Sequence, residues 1–253
     1  MTDITPLIDL RGRRGLIVGI ANEHSIATGC ARAFTAAGAT LACTYLNDKA
    51  LPHVRAVTDT LACSHLLKLD VSAPGELEAV FDRLRADWGQ IDFLLHAIAF
   101  APAADLHGRV IDCSAAGFAL AMDISCHSFL RMAHLAEPMM PQGGCLLTVT
   151  FNGSERVVPN YNMMGPVKAA LESAVRYAAA ELLPKSIRVH ALSPGAIPTR
   201  AASGIAHFDE MLAQQPIPID ITDVGPIAAF LASSAARHMT GTVIPIDGGA
   251  HLV

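Results

Sequence analysis

A chain of 253 residues holds one large α/β domain or two small ones, and 52% hydrophobic against 16% charged residues is ample material for a packed core, which argues against disorder. The net charge of −5, without any Lys/Arg run, argues against a nucleic-acid partner. No stretch approaches the ~20 apolar residues of a membrane span, residues 1–14 carry acids without an apolar run of signal length, and Cys30, Cys43, Cys63, Cys113, Cys126 and Cys145 lack CxxC or metal-ligand spacing, so the expectation is a cytoplasmic protein with reduced thiols, no membrane contact and no metal.

Short apolar runs alternate with longer helical patterns from end to end, with no repeat and no Pro/Gly-rich linker. That rhythm predicts βαβ units and one Rossmann-like domain over residues 1–253: a doubly wound, seven-stranded parallel sheet with helices on both faces. In chain order the expected elements are strand 15–19, helix 25–37, strand 40–45, helix 49–61, strand 65–69, helix 74–88, strand 93–97, helix 115–140, strand 145–150, helix 161–183, strand 188–192, helix 221–233 and strand 243–246. Residues 194–218 read as a loop with a short helix; following a strand end, it overhangs the crevice where such sheets bind ligands.

The first strand runs into Gly19-Ile20-Ala21-Asn22-Glu23-His24-Ser25-Ile26-Ala27, a glycine turn and then a serine at a helix start. Exposed N–H groups and the positive end of the helix dipole there suit a pyrophosphate. Glu23 and Ser25 stand where the usual fingerprint has glycines, so a plain turn capped by Ser25 stays open. Asp70-Val71 and His96-Ala97-Ile98-Ala99 close two further strands on the same edge. Asp70 suits an adenine amino group or caps the next helix, small Ala97 and Ala99 admit a close cofactor, and His96 reads as a satisfied strand-end histidine. No arginine follows Tyr45-Leu46-Asn47-Asp48-Lys49 to clasp a 2′-phosphate, which favours NADH over NADPH; Asp48 is a ribose ligand or a helix cap.

Asn160-Tyr161-Asn162-Met163-Met164-Gly165-Pro166-Val167-Lys168 enters the helix expected at 161–183. At ~100° per residue, Tyr161 and Lys168 lie about two turns apart on one face, and Gly165 between them would leave that face open to a ligand. An ammonium beside a phenol lowers the phenol's pKa and strengthens it as a donor to an alkoxide or enolate. The competing reading is an amphipathic helix with a core tyrosine and a snorkelling lysine.

These residues resemble the short-chain dehydrogenase/reductase superfamily and, within it, the bacterial enoyl-[acyl-carrier-protein] reductases. The local matches are Gly19-x5-Ser25-Ile26-Ala27, His96-x-Ile98-x-Phe100-Ala101-Pro102, Asp123-Ile124-Ser125, Glu155-Arg156-x-x-Pro159-Asn160-Tyr161-Asn162-x-Met164-Gly165 and Ala201-Ala202-Ser203-Gly204-Ile205. The resemblance implies NADH-dependent reduction of a trans-2-enoyl thioester carried on acyl carrier protein, in fatty acid synthesis, by a homotetramer that pairs its two longest helices. It implies that Tyr161 donates to the thioester carbonyl and Lys168 holds the nicotinamide ribose, and that Gly19, Ser25, Ile26, Leu46, Asp70, Val71, Ala97, Ile98, Ala99, Ile197 and Thr199 bind the cofactor. It makes about 198–220 a substrate-binding loop, with Phe100, Phe151, Met164, Ala201, Ala202, Ile205 and Phe208 beside the acyl chain and Arg200 a candidate for the basic rim that meets an acidic carrier.

The chain also departs from that family's pattern. Phe151 stands where a second tyrosine is common, Ala97 and Ala99 replace a serine and a glycine, Leu46 replaces a polar residue, and residues 213–222 form a shortened segment. Tyr161 and Lys168 would serve an alkoxide as well, with Thr148 a candidate hydroxyl partner, so a reductase or dehydrogenase of carbonyls or alcohols remains the alternative, as does an impaired nucleotide-binding paralogue.

Overall fold

The computed structural model describes residues 7–253, so the first six residues of the expected domain lie outside the described residues. Seven strands, β1 (Arg14–Val18), β2 (Thr40–Tyr45), β3 (Cys63–Lys68), β4 (Phe93–His96), β5 (Gly144–Val149), β6 (Ile187–Pro194) and β7 (Thr242–Ile246), form one sheet. All neighbours are parallel, in the order β3-β2-β1-β4-β5-β6-β7.

The side-chain alternation of the strands supplies both faces. Leu16 and Val18 of β1, Leu94 of β4 and Leu146 of β5 point into one core, while Ile17, Phe93, Leu95, Cys145 and Leu147 point into the other. The first core is covered by α3 (Glu76–Trp88), α6 (Ser128–Ala136) and α7 (Met164–Leu182), the second by α1 (Ile26–Ala36), α2 (Leu51–Thr58) and α9 (Ile221–Ala232). Winding reverses at β1, which has β2 on one side and β4 on the other, so a crevice opens beyond the carboxyl ends of β1 and β4.

Two helices differ from expectation, for local reasons. The stretch 115–140 is α5 (Ala115–Met122), a wide π turn over Asp123–His127, then α6 and a short 3₁₀ turn over Glu137–Met139. The π turn presents Ser125 to the chain after β4, where its hydroxyl accepts from the Phe100 N–H at 2.9 Å and donates to the Phe100 carbonyl at 3.1 Å. Helix α7 starts at Met164, so Tyr161 precedes the helix instead of opening it. Asn160 and Asn162 take φ of 64° and 46°, left-handed values that no α-helix contains and that asparagine tolerates. Pro166 then falls in the first turn, where its missing N–H leaves no helical bond unmade.

Loop 194–218 contains a 3₁₀ turn at Ala202–Gly204 and α8 (Phe208–Ala213), and a further short helix, α4 (Ala103–Leu106), precedes α5. Asp220 and Asp223 close a reciprocal capping box that fixes where α9 begins.

Candidate active site

The edge of the sheet gathers the predicted residues from separate parts of the chain. Gly19, with φ of 120°, turns β1 so close to the end of β4 that a Cβ there would lie 2.2 Å from the Ala97 carbonyl oxygen. Helix α1 starts at Ile26, and no side chain caps it, which leaves the N–H groups of Ile26 and Ala27 and the helix dipole for an anion. The Ser25 hydroxyl folds back instead, accepting from the N–H groups of Ala21 and Asn22 at 3.0 and 3.1 Å. The expectation that it caps α1 is therefore corrected: Ser25 shapes the loop.

Asp70 follows β3 and accepts from the Ser72 N–H and hydroxyl through Oδ1, while Gly75 is the N-cap of α3, so Asp70 does not cap that helix. Val71 beside it is buried. Leu46 is exposed at the end of β2, and Asn47, not Asp48, accepts from the Ala50 N–H before α2. Ala97 and Ala99 lie just past β4, whereas the Ile98 side chain turns into the core, so any part it takes in binding falls to its backbone. These residues fit a dinucleotide: a close-approach glycine, an uncapped helix start and a free acidic oxygen succeed one another along one edge.

Beyond β4, β5 and β6 lies a cavity of about 420 Å³. Its wall brings together Tyr161, Lys168, Ile26, Ala99, Phe100, Phe151, Met164, Ile197, Thr199, Ala201, Ala202, Ile205, Phe208 and Met211, with Arg200 at its side. Gly19, Ser25, Leu46, Asp70, Val71, Ala97 and Ile98 do not line it. Leu106 and Thr150, which hydrophobic periodicity does not single out, also line it. Thr199 anchors the loop, accepting from the Ala202 N–H at 3.2 Å and bonding its own N–H to the Ile197 carbonyl at 2.7 Å.

Tyr161 is seated by glycines. A Cβ on Gly153 would lie 2.4 Å from the Tyr161 ring, and one on Gly165 would lie 2.9 Å from the Gly153 carbonyl oxygen. Gly165 thus serves close packing of α7 on the turn at Asn152–Ser154, not access for a ligand. The Phe151 ring packs against the Tyr161 ring with centroids 4.9 Å apart.

Burial pushes the Tyr161 phenol well above its ordinary range, and Glu172 adds to that rise, contrary to the lowering expected from a lysine neighbour. The phenol stays protonated, as a hydrogen-bond donor. Lys168 is 4% exposed; burial pulls its ammonium down to about 8, while Cys126 and Glu172 act in the opposite direction. Its Nζ donates to the Val149 carbonyl at 2.7 Å.

His96 is fully buried between the Thr148 hydroxyl at 2.9 Å and the Ser128 hydroxyl at 2.8 Å. Ser128 spends its own proton on the Ile124 carbonyl, so His96 donates from Nε2 and accepts from Thr148 at Nδ1, a neutral tautomer. Burial, with Lys168 adding to it, pulls its pKa to about 3. Thr148 is thereby committed inside the sheet and is not the hydroxyl partner at the site; Thr150 is the threonine that reaches the cavity.

At the opposite edge a cleft of about 550 Å³ contains Arg13 and Arg188, already bonded to Asp92 and to the carbonyls of Leu231 and Ser233, and it gathers no comparable pair.

A family model described as Enoyl-(Acyl carrier protein) reductase matches residues 19–251. The chain is 41% identical over 249 residues to "Enoyl-[acyl-carrier-protein] reductase [NADH] 2" of Rhizobium meliloti, covering 96% of this chain and 93% of that protein. The crystal structure of the enoyl-(acyl-carrier-protein) reductase of Anaplasma phagocytophilum in complex with NAD superposes with a TM-score of 0.92 at 39% identity, covering 96% of this chain and 95% of that one. The NADH enzyme of Aquifex aeolicus gives 0.93 at 40% identity, covering 96% and 98%.

Proposed function

The chain belongs to the enoyl-(acyl carrier protein) reductase family, and from that premise we propose that it reduces the double bond of trans-2-enoyl thioesters with NADH, with Tyr161 and Lys168 as its catalytic pair. The observation that carries the reading is that these two buried polar side chains, supplied by a turn and a helix, enter the wall of one largely apolar cavity at the carboxyl edge of the sheet.

When bound, the nicotinamide supplies a hydride to the β-carbon of the substrate. Negative charge then develops on the thioester oxygen, and the protonated Tyr161 hydroxyl donates to it, an interaction that is stronger in the transition state than in the ground state; a proton from solvent then reaches the α-carbon of the enolate and completes the saturated thioester. Lys168 holds the nicotinamide ribose hydroxyls and adds positive potential beside that oxygen. Gly19, Ile26, Asp70, Val71, Ala97, Ala99, Ile197 and Thr199, with the backbones of Ser25 and Ile98, form the cofactor track, and Leu46 borders the adenine. Phe100, Phe151, Met164, Ala201, Ala202, Ile205 and Phe208 wall the acyl chain, which favours a hydrocarbon over a polar substrate.

The substrate arrives on acyl carrier protein, with Arg200 on the rim that meets it, and the setting is cytoplasmic fatty acid synthesis. Among the described residues no helix is long and apolar enough to cross a membrane. The enzyme works as a homotetramer: Phe118, Leu120, Leu130 and Tyr177 expose apolar surface on α5, α6 and α7, the helices that would pair.

The test is NADH oxidation followed spectrophotometrically with crotonyl and longer enoyl thioesters beside a panel of ketones. Turnover of the thioesters is expected, and turnover of ketones alone would overturn the reading.

A further inference from the structure

One buried acid has no part in the chemistry described so far. Glu172 is 3% exposed and sits one turn beyond Lys168, on the stripe by which Lys168, Leu171, Val175, Ala179 and Leu182 enter the core. Its Oε1 accepts from the Thr150 hydroxyl at 2.6 Å, while the Val149 carbonyl accepts from Lys168 Nζ at 2.7 Å. Adjacent residues at the end of β5 therefore grip side chains on successive turns of α7. A carboxylate so deep in the protein is costly unless hydrogen-bonded and balanced by a cation. Of the titratable groups nearby, Lys168 on its own helix and the Tyr161 phenol from the preceding turn feel Glu172, while His96 from β4 and Cys126 from the π turn face Lys168. His96 is neutral through its two hydroxyl partners and burial pushes the Cys126 thiol up, while Glu172 is the carboxyl group set one helical turn from the Lys168 ammonium on the same buried stripe.

We propose that Glu172 is a positioning residue for Lys168: through Thr150 it sets how α7 meets β5, and its carboxylate keeps the buried ammonium charged for the cofactor. Burial, with Glu172 adding to it, holds the Tyr161 phenol in its donor form. What this does for turnover rests on the reductase reading, whereas the ionisation of Lys168 does not.

The test is therefore made first on protein without cofactor. NMR titration of ¹³C-labelled lysine, with the Lys168 signal assigned by its loss in Lys168→Arg, gives the midpoint directly. Glu172→Gln keeps the bond to Thr150 and removes the charge, so the midpoint should fall by about one pH unit. The NADH dissociation constant from fluorescence titration should then rise about fivefold at pH 8 and change little at pH 6. Glu172→Asp, which restores the charge, should recover most of the alkaline binding. An unchanged Lys168 midpoint in a folded Glu172→Gln protein would overturn the proposal and leave Glu172 as packing.

If Glu172→Gln does not fold alone, thermal melting decides. Lys168→Met strands the carboxylate and should be destabilising, and adding Glu172→Gln should recover stability; additive losses would equally overturn the proposal. A wild-type protein that fails to oxidise NADH with enoyl thioesters would sink the reductase reading and leave the Lys168 titration standing.

Discussion

Tyr161 reaches the cavity as a neutral phenol, and the number of turns between it and Lys168 has little to do with that. Its ring is wedged between Phe151 and the backbone of Gly153, and burial together with Glu172 keeps its proton in place. A donor that strengthens only as negative charge develops on the substrate accelerates the reaction without tightening the ground state. Tyr161→Phe is expected to lower kcat about 100-fold while NADH affinity, measured by fluorescence, stays near the parent value. Equal losses in rate and cofactor affinity would make the tyrosine structural. The motif Asn160-Tyr161-Asn162 was legible in the sequence, but the protonation state was not: it depends on desolvation by residues far apart in the chain.

At the scale of elements, the site is a joint between the end of β5, the turn at Asn152–Ser154 and the start of α7. Gly153 and Gly165 allow these three to touch through backbone, with a Cβ on either falling inside contact distance. Gly153→Ala must displace the Tyr161 ring, and overpacking of this kind costs about 1–3 kcal/mol. Lower thermal stability together with reduced turnover is expected from melting and the NADH assay; a variant matching the parent in both would show that the ring has room to move. Hydrophobic periodicity marks β5 and α7 but not the turn between them, and it extends α7 three residues too far toward the N-terminus. The two left-handed asparagines, which stop the helix, carry no signature in hydrophobic periodicity. It likewise treated 115–140 as one helix, because a π turn keeps the apolar pattern while redirecting Ser125 to Phe100.

For the molecule as a whole, the parallel sheet holds buried imidazoles on β4 and β6 in neutral form, and this ties stability to pH. Burial pulls His96 to about 3 and His190 to about 4, whereas unfolded histidine titrates near its ordinary 6.5. Between those values the unfolded chain binds protons that the folded protein refuses. The resulting stability is complete above pH 6.5 and is lost as pH falls toward the folded values. Each such histidine accounts for about 1.4 kcal/mol per pH unit in that window. The thermal midpoint should therefore drop by about 5 °C or more between pH 6.5 and 5 in scanning calorimetry. A flat midpoint would mean that His96 is solvated and that its bonds to Thr148 and Ser128 do not persist.

By itself the sequence determined the class of fold and the family, because both are written in local features. Period-two apolar runs divide their side chains between two cores, and the glycine turn, the strand-end residues and the Asn160–Gly165 motif are each contiguous in the chain. Only the tertiary structure decided which threonine reaches the cavity, that Ser25 shapes its loop instead of capping α1, that Gly165 packs against backbone, and that Glu172 lies beside the pair. Those are matters of distance and desolvation, set by how loops, strands and helices pack. Glu172 had left one trace, an acid one turn past Lys168 on the buried stripe of α7, but its bond to Thr150 at the end of β5 is set only by packing.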